Sequence, residues 1–149
     1  MIQLVQSKRK KQPEFYLQVQ VCNYISLQYP DIFFMSDTVA SLKLTVTQQV
    51  RNKKIQCQKF KCTDLIIFMP NKDFHGLFIE LKASTPFNKD GSLKKQIKKV
   101  KSKGKIYEYD HLEEQQKSIE ILNEIGYFAC FSWTFEMTKN IIDNYLKNR

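Results

Sequence analysis

Apolar positions along this chain follow two rhythms in turn, one helical and one extended. In PEFYLQVQVCNYISLQYP, Leu17, Val21, Tyr24 and Ile25 recur at helical spacing, which predicts a helix with one buried face. Pro13 suits its first turn and Pro30 its end, and Glu14 lies one turn before Leu17, on the side that looks inward. DIFFMS reads as a short strand. TVTQQVRNKKIQCQ begins with β-branched residues, yet Thr45 and Gln48 have capping-box spacing, so a helix is expected from about Val46. DLIIFMP (64–70) and GLFIELK (76–82) are apolar strands joined by NKDFH, a hairpin pattern, and a turn centred on Lys72 sets Asp64 opposite Glu80.

Further along, DHLEEQQKSIEILNEIG predicts a helix with Leu112, Gln115, Ile119 and Leu122 on one face and Gly126 at its end. YFACFSW follows as a strand, and Thr134 is placed to cap a final helix over FEMTKNIIDNYLKN. Between hairpin and helix, KKQIKKVKSKGK holds seven lysines in twelve residues and no acid, which predicts a mobile loop within 83–109. The order is helix, strand, helix, hairpin, helix, strand, helix: an α/β fold with a mixed central sheet flanked by helices. At 149 residues the chain is expected to form one domain, with a basic arm at 1–12.

Charge changes the picture. Lysines and arginines number 24 against 15 acids, a formal +9 with a pI near 9.4. Clustered bases point to a polyanion, and nucleic acid is the expected partner. The clusters are Lys8, Arg9, Lys10 and Lys11; Arg51, Lys53, Lys54, Lys59 and Lys61; and Lys94, Lys95, Lys98, Lys99 and Lys101. All suit phosphate contacts rather than base readout. Phe87 and Tyr107 flank the last cluster and are candidates for stacking on bases. Cys22, Cys57, Cys62 and Cys130 lack the partners of a zinc set and read as reduced thiols, several of them in the core. No apolar run approaches a membrane span, so a soluble, intracellular (cytoplasmic) protein is expected.

The candidate chemistry lies in GLFIELKAS (76–84). Strand alternation puts Leu77, Ile79 and Leu81 on one face and Phe78, Glu80 and Lys82 on the other. With Asp64 on the neighbouring strand, two carboxylates meet, and such a pair is costly to bury without a cation between them. A magnesium ion meets that need with one or two carboxylates, leaving sites for water and phosphate, and a lysine beside it can hold the attacking water. The plain alternative is an ordinary ion pair, with Glu80 and Lys82 side by side and Asp64 only capping a strand.

These residues, in the order TDLI…GLFIELK…EQQ…LNEIGYFA, resemble the PD-(D/E)XK nuclease superfamily, and within it the compact, bacteriophage-type VRR-NUC group. The likeness begins at PEFYLQ, passes LQYPDIFF and LKLTVTQQVRNKK, and ends at IIDNYL. It implies a restriction-endonuclease-like fold and a magnesium- or manganese-dependent nuclease. It makes Asp64 and Glu80 the metal carboxylates, the Leu81 carbonyl a further ligand, Lys82 the residue that positions water, and Gln115 the helix glutamine of the site. Glu14 matches the family's first-helix glutamate; a carboxylate favoured by the helix dipole is the other reading. One departure stands: the family's G-x-P-D is here Lys61-Cys62-Thr63-Asp64. The implied substrate is DNA, including branched forms such as Holliday junctions or flaps, which would suit a homodimer. The rivals are a non-catalytic nucleic-acid-binding module and a host-factor-binding protein on a nuclease-like fold.

Overall fold

A computed structural model describes residues 12–37, 44–57 and 59–149. Helix α1 (Pro13–Gln28) opens on Pro13 and buries Leu17, Val21 and Ile25, while Tyr24 is only half-buried. Strand β1 (Phe34–Ser36) follows, then α2 (Val46–Ile55). The capping box is present: Gln48 N–H donates to Thr45 Oγ1 at 3.3 Å and Thr45 N–H to Gln48 Oε1 at 2.9 Å. Next come β2 (Leu65–Ile67) and β3 (Leu77–Leu81), then two strands the sequence did not announce, β4 (Ile97–Ser102) and β5 (Lys105–Asp110). Helix α3 (His111–Glu124), β6 (Phe128–Ser132) and α4 (Phe135–Lys147) complete the chain.

The main sheet has the order β1-β2-β3-β6, antiparallel except for the parallel pair β3/β6. Leu65 pairs with Ile79, so the register carried one residue further sets Asp64 opposite Glu80. Alternation along β3 divides the interior. Leu77, Ile79 and Leu81 join Leu17, Val21 and Ile25 of α1 and Ile142, Tyr145 and Leu146 of α4 in one core. On the other face, Phe78 packs with Ala129 and Phe131 of β6 beneath Leu112, Ile119 and Leu122 of α3. Glu80 lies on this second face and is only 4% exposed. The architecture is a mixed sheet with helices on both faces, restriction-endonuclease-like.

The lysine-rich segment departs from expectation. Instead of a mobile loop, β4 and β5 form an antiparallel ribbon from Ile97↔Asp110 to Ser102↔Lys105. Its two-residue turn, Lys103 at φ 48° and Gly104 at φ 76°, has the paired positive φ of a tight hairpin turn. The segment before it is anchored by Phe87, whose ring lies 5.9 Å from Phe131 and 6.1 Å from Trp133. Phe87 is therefore a packing residue and not a base-stacking one. The thiols correct another expectation: Cys22 and Cys130 are half-buried against the core, whereas Cys57 and Cys62 are exposed.

Candidate active site

The C-terminal end of β3 gathers what the sequence scatters over a hundred residues. Gln115 Nε2 donates to Glu80 Oε1, and Lys82 Nζ donates to the same oxygen at 3.0 Å. Asp64 Oδ2 accepts the Leu81 N–H at 2.8 Å. Glu14, from the first turn of α1, reaches the same strand end, where its Oε1 accepts the Ala83 N–H at 3.3 Å. Asp64 is itself held in place: its carbonyl accepts from Asp37 N–H at 2.9 Å and Ser36 Oγ at 3.2 Å. The structure thus brings together Asp64, Glu80, Lys82, Gln115 and Glu14.

Burial makes this cluster electrostatically tense. Desolvation first, then repulsion from Asp64, pushes Glu80 up to about 7 against the pull of Lys82. Asp64 is also raised by burial, with its Leu81 N–H bond and Lys82 opposing. The site therefore carries more carboxylate than one lysine offsets, the condition a divalent cation relieves. Gln115 gives a second indication. Its amide is fixed by donating to Glu80, and among the described residues its buried Oε1 has no hydrogen-bond partner. Among the described residues no group of three or more His, Cys, Asp or Glu forms a metal-holding cluster. The carboxylates of Asp64 and Glu80 are oxygen donors, the type that magnesium and manganese take.

A cleft of about 430 Å³ opens over these groups, and Lys61, Lys98 and His111 line it together with Asp64, Glu80 and Lys82. His111 was not singled out by sequence reasoning, since it lies at the first position of α3 and reads there as a helix start. Its Nδ1 lies 3.2 Å from Lys61 Nζ, and burial with the charges of Lys98, Lys61 and Lys82 drives it down to about 4. The ring is neutral at pH 7, and Lys61 donates to it. Lys61 also pairs with Glu114 and stands 4.8 Å over the Tyr109 ring, so it forms part of the wall rather than a free phosphate contact. A second, larger cleft of about 710 Å³ borders α1 and shares Asp64 and Glu14 with the first.

The remaining expected DNA contacts divide. Lys98 reaches the cleft, but Lys94 Nζ donates to the Thr85 carbonyl at 2.8 Å and Lys99 pairs with Glu108 at 2.8 Å. Lys95 and Lys101 are exposed, Lys101 on the ribbon and Lys95 just before it. Arg51, Lys53 and Lys54 ride on the exposed helix α2, and Gln56 and Cys57, just past its end, line the cleft. Lys8, Arg9, Lys10 and Lys11 lie outside the described residues.

Among known proteins, no family model and no curated protein matches the chain. A solved structure, a VRR_NUC domain protein, does: it is 19% identical, the match spans 91% of this chain and 89% of that one, and the TM-score is 0.58. At that identity the likeness is one of fold, and this chain has a VRR-NUC-like fold. Among the described residues no helix is long and apolar enough to cross a membrane.

Proposed function

We propose that the protein is a metal-dependent DNA endonuclease of PD-(D/E)XK type. The observation that carries this reading is the convergence of Asp64, Glu80 and Lys82 at the end of β3, under a helix glutamine and inside a lysine-walled cleft. Asp64 and Glu80, with the Leu81 carbonyl, would hold Mg²⁺ or Mn²⁺. When bound, such an ion neutralises charge on the scissile phosphate and makes a water more acidic.

The chain's own groups do the rest. Lys82, 3.0 Å from Glu80 Oε1, is placed to hand its N–H bonds to the attacking water and fix its line of approach. Gln115 locks the Glu80 rotamer and offers its free Oε1 to a water proton. Lys98, which lines the same cleft, would meet the incoming phosphate, and the neutral His111 ring adds a dipole there without competing for a proton. Glu14, tied to Ala83 N–H, closes the site beside Asp64.

The substrate we favour is branched DNA cut by a homodimer, because phosphate-directed lysines read backbone shape and not sequence. The test is cleavage of labelled four-way junction, flap and linear duplex by the wild type and Asp64→Ala, with particle mass measured in parallel. Metal-dependent cutting that Asp64→Ala loses while still binding DNA supports the reading. Binding without cutting in any metal makes the protein a non-catalytic nucleic-acid binder, and a preference for linear duplex removes the branched substrate.

A further inference from the structure

The β4–β5 ribbon has two chemically different faces. Every residue of β4 is exposed, so exposure alone distinguishes neither. Register does. Directly opposed residues share a side, and Lys98↔Tyr109, Val100↔Tyr107 and Ser102↔Lys105 form one face. Ile97↔Asp110, Lys99↔Glu108 and Lys101↔Ile106 form the other. Both acids of the ribbon, Glu108 and Asp110, therefore lie on the second face, where Glu108 pairs with Lys99 at 2.8 Å. The first face carries two lysines, two tyrosines and no acid.

That first face is also the one that continues from the catalytic cleft. Lys98 lines the cleft, and Lys61 of its wall stands 4.8 Å over the Tyr109 ring. Moving outward, Tyr107 is 54% exposed and Val100 41% exposed, with Lys105 beyond them. From Lys98 to Ser102 the platform runs about 13 Å at strand rise. A chain lying on it would meet a cation, an open aromatic ring and a second cation in sequence, starting at the proposed scissile phosphate.

We infer that this face binds an unpaired nucleic-acid strand leading out of the cleft, with a base stacked on Tyr107 and phosphates met by Lys98 and Lys105. An unpaired strand is the occupant because the bases of a duplex already cover one another's faces, whereas a free base has a face to offer Tyr107. The positive, acid-free surface excludes a cationic partner and complements a phosphate backbone. The inference takes its direction from the nuclease reading of the cleft.

Binding of a labelled oligo-dT strand and of a blunt duplex is measured in EDTA, where no cutting occurs, for the wild type, Tyr107→Ala and Tyr107→Phe. Tyr107→Ala is expected to weaken oligo-dT about tenfold, within the range for loss of one stacked base, and to leave the duplex unchanged. Tyr107→Phe keeps the ring and binds as the wild type does. Equal loss on both substrates, or no loss on either, overturns the inference. So does a change from dimer to monomer in Tyr107→Ala, which would make the face a contact between copies of the chain. If Tyr107→Ala fails to fold, Lys105→Gln takes its place, with weaker oligo-dT binding and a shallower salt dependence expected, and unchanged binding contradicting it. A wild type that binds but never cuts in Mg²⁺ removes the nuclease reading instead, and the binding comparison separates the two failures.

Discussion

If Glu80 holds a metal, magnesium affinity should depend on pH in a way the structure fixes. Glu80 sits at about 7 because its carboxylate is desolvated and faces Asp64, so below that pH it carries a proton the metal must displace. Its ionised share is about one tenth at pH 6 and about nine tenths at pH 8, so affinity should rise about tenfold between them, or ~1.4 kcal/mol. The sign is that of a raised carboxyl: the proton is held through the window from 4.5 to about 7, and metal binding strengthens as pH climbs through it. Metal-free stability is a poorer probe. Glu80 lowers it as pH rises through that window, while His111, held down to about 4, raises it between pH 4 and 6.5. Titration calorimetry in two buffers of different ionisation enthalpy isolates the site. Close to one proton released per Mg²⁺ at pH 6 and almost none at pH 8 is the expected result, absent in Glu80→Gln. Equal affinity at both pH values with no proton release would refute the assignment of Glu80.

Other consequences are open to direct measurement. Gln115→Leu should fold and bind DNA yet lose cleavage by about tenfold or more, because Glu80 loses its rotamer lock; unchanged kcat would reduce Gln115 to a packing residue. Ile79→Ala, at a site with no exposure between α1, α4 and the sheet, should cost about 2–5 kcal/mol in urea unfolding, and a cost under 1 would contradict the core described. Gly126→Ala should destabilise by more than about 1 kcal/mol, since φ there is +93° and a Cβ would meet the His75 ring at 2.8 Å; a neutral thermal melt would refute this.

Elements with a strong period or a cap could be read directly. The apolar stripe of α1, the Thr45–Gln48 box and the Thr134 cap all appear where their spacing predicts them. The register that sets Asp64 opposite Glu80 followed from hairpin length, and the division of β3 between two cores from strand alternation. The ribbon was hidden because lysine density reads as solvated chain, while the information that builds it is a two-residue turn at Lys103–Gly104 and the alternation around Val100. His111 was hidden for another reason: its role depends on Lys61, fifty residues away, which only the tertiary fold brings within 3.2 Å. Phe87 shows the converse, an aromatic whose neighbours in sequence are polar but whose partners, Phe131 and Trp133, are distant in the chain.

The central claim is that the charged end of β3 cuts phosphodiester bonds. Its most direct test is the cleavage rate of labelled branched DNA by the wild type and Lys82→Ala, in Mg²⁺ and in EDTA. Lys82 is the residue that a mere metal-binding site has least need of, and retained DNA binding separates its catalytic part from a phosphate contact. Cutting by the wild type in Mg²⁺ alone, lost about a hundredfold or more in Lys82→Ala with DNA binding retained, is what the account predicts. Undiminished cutting by Lys82→Ala, or none by the wild type, would contradict it.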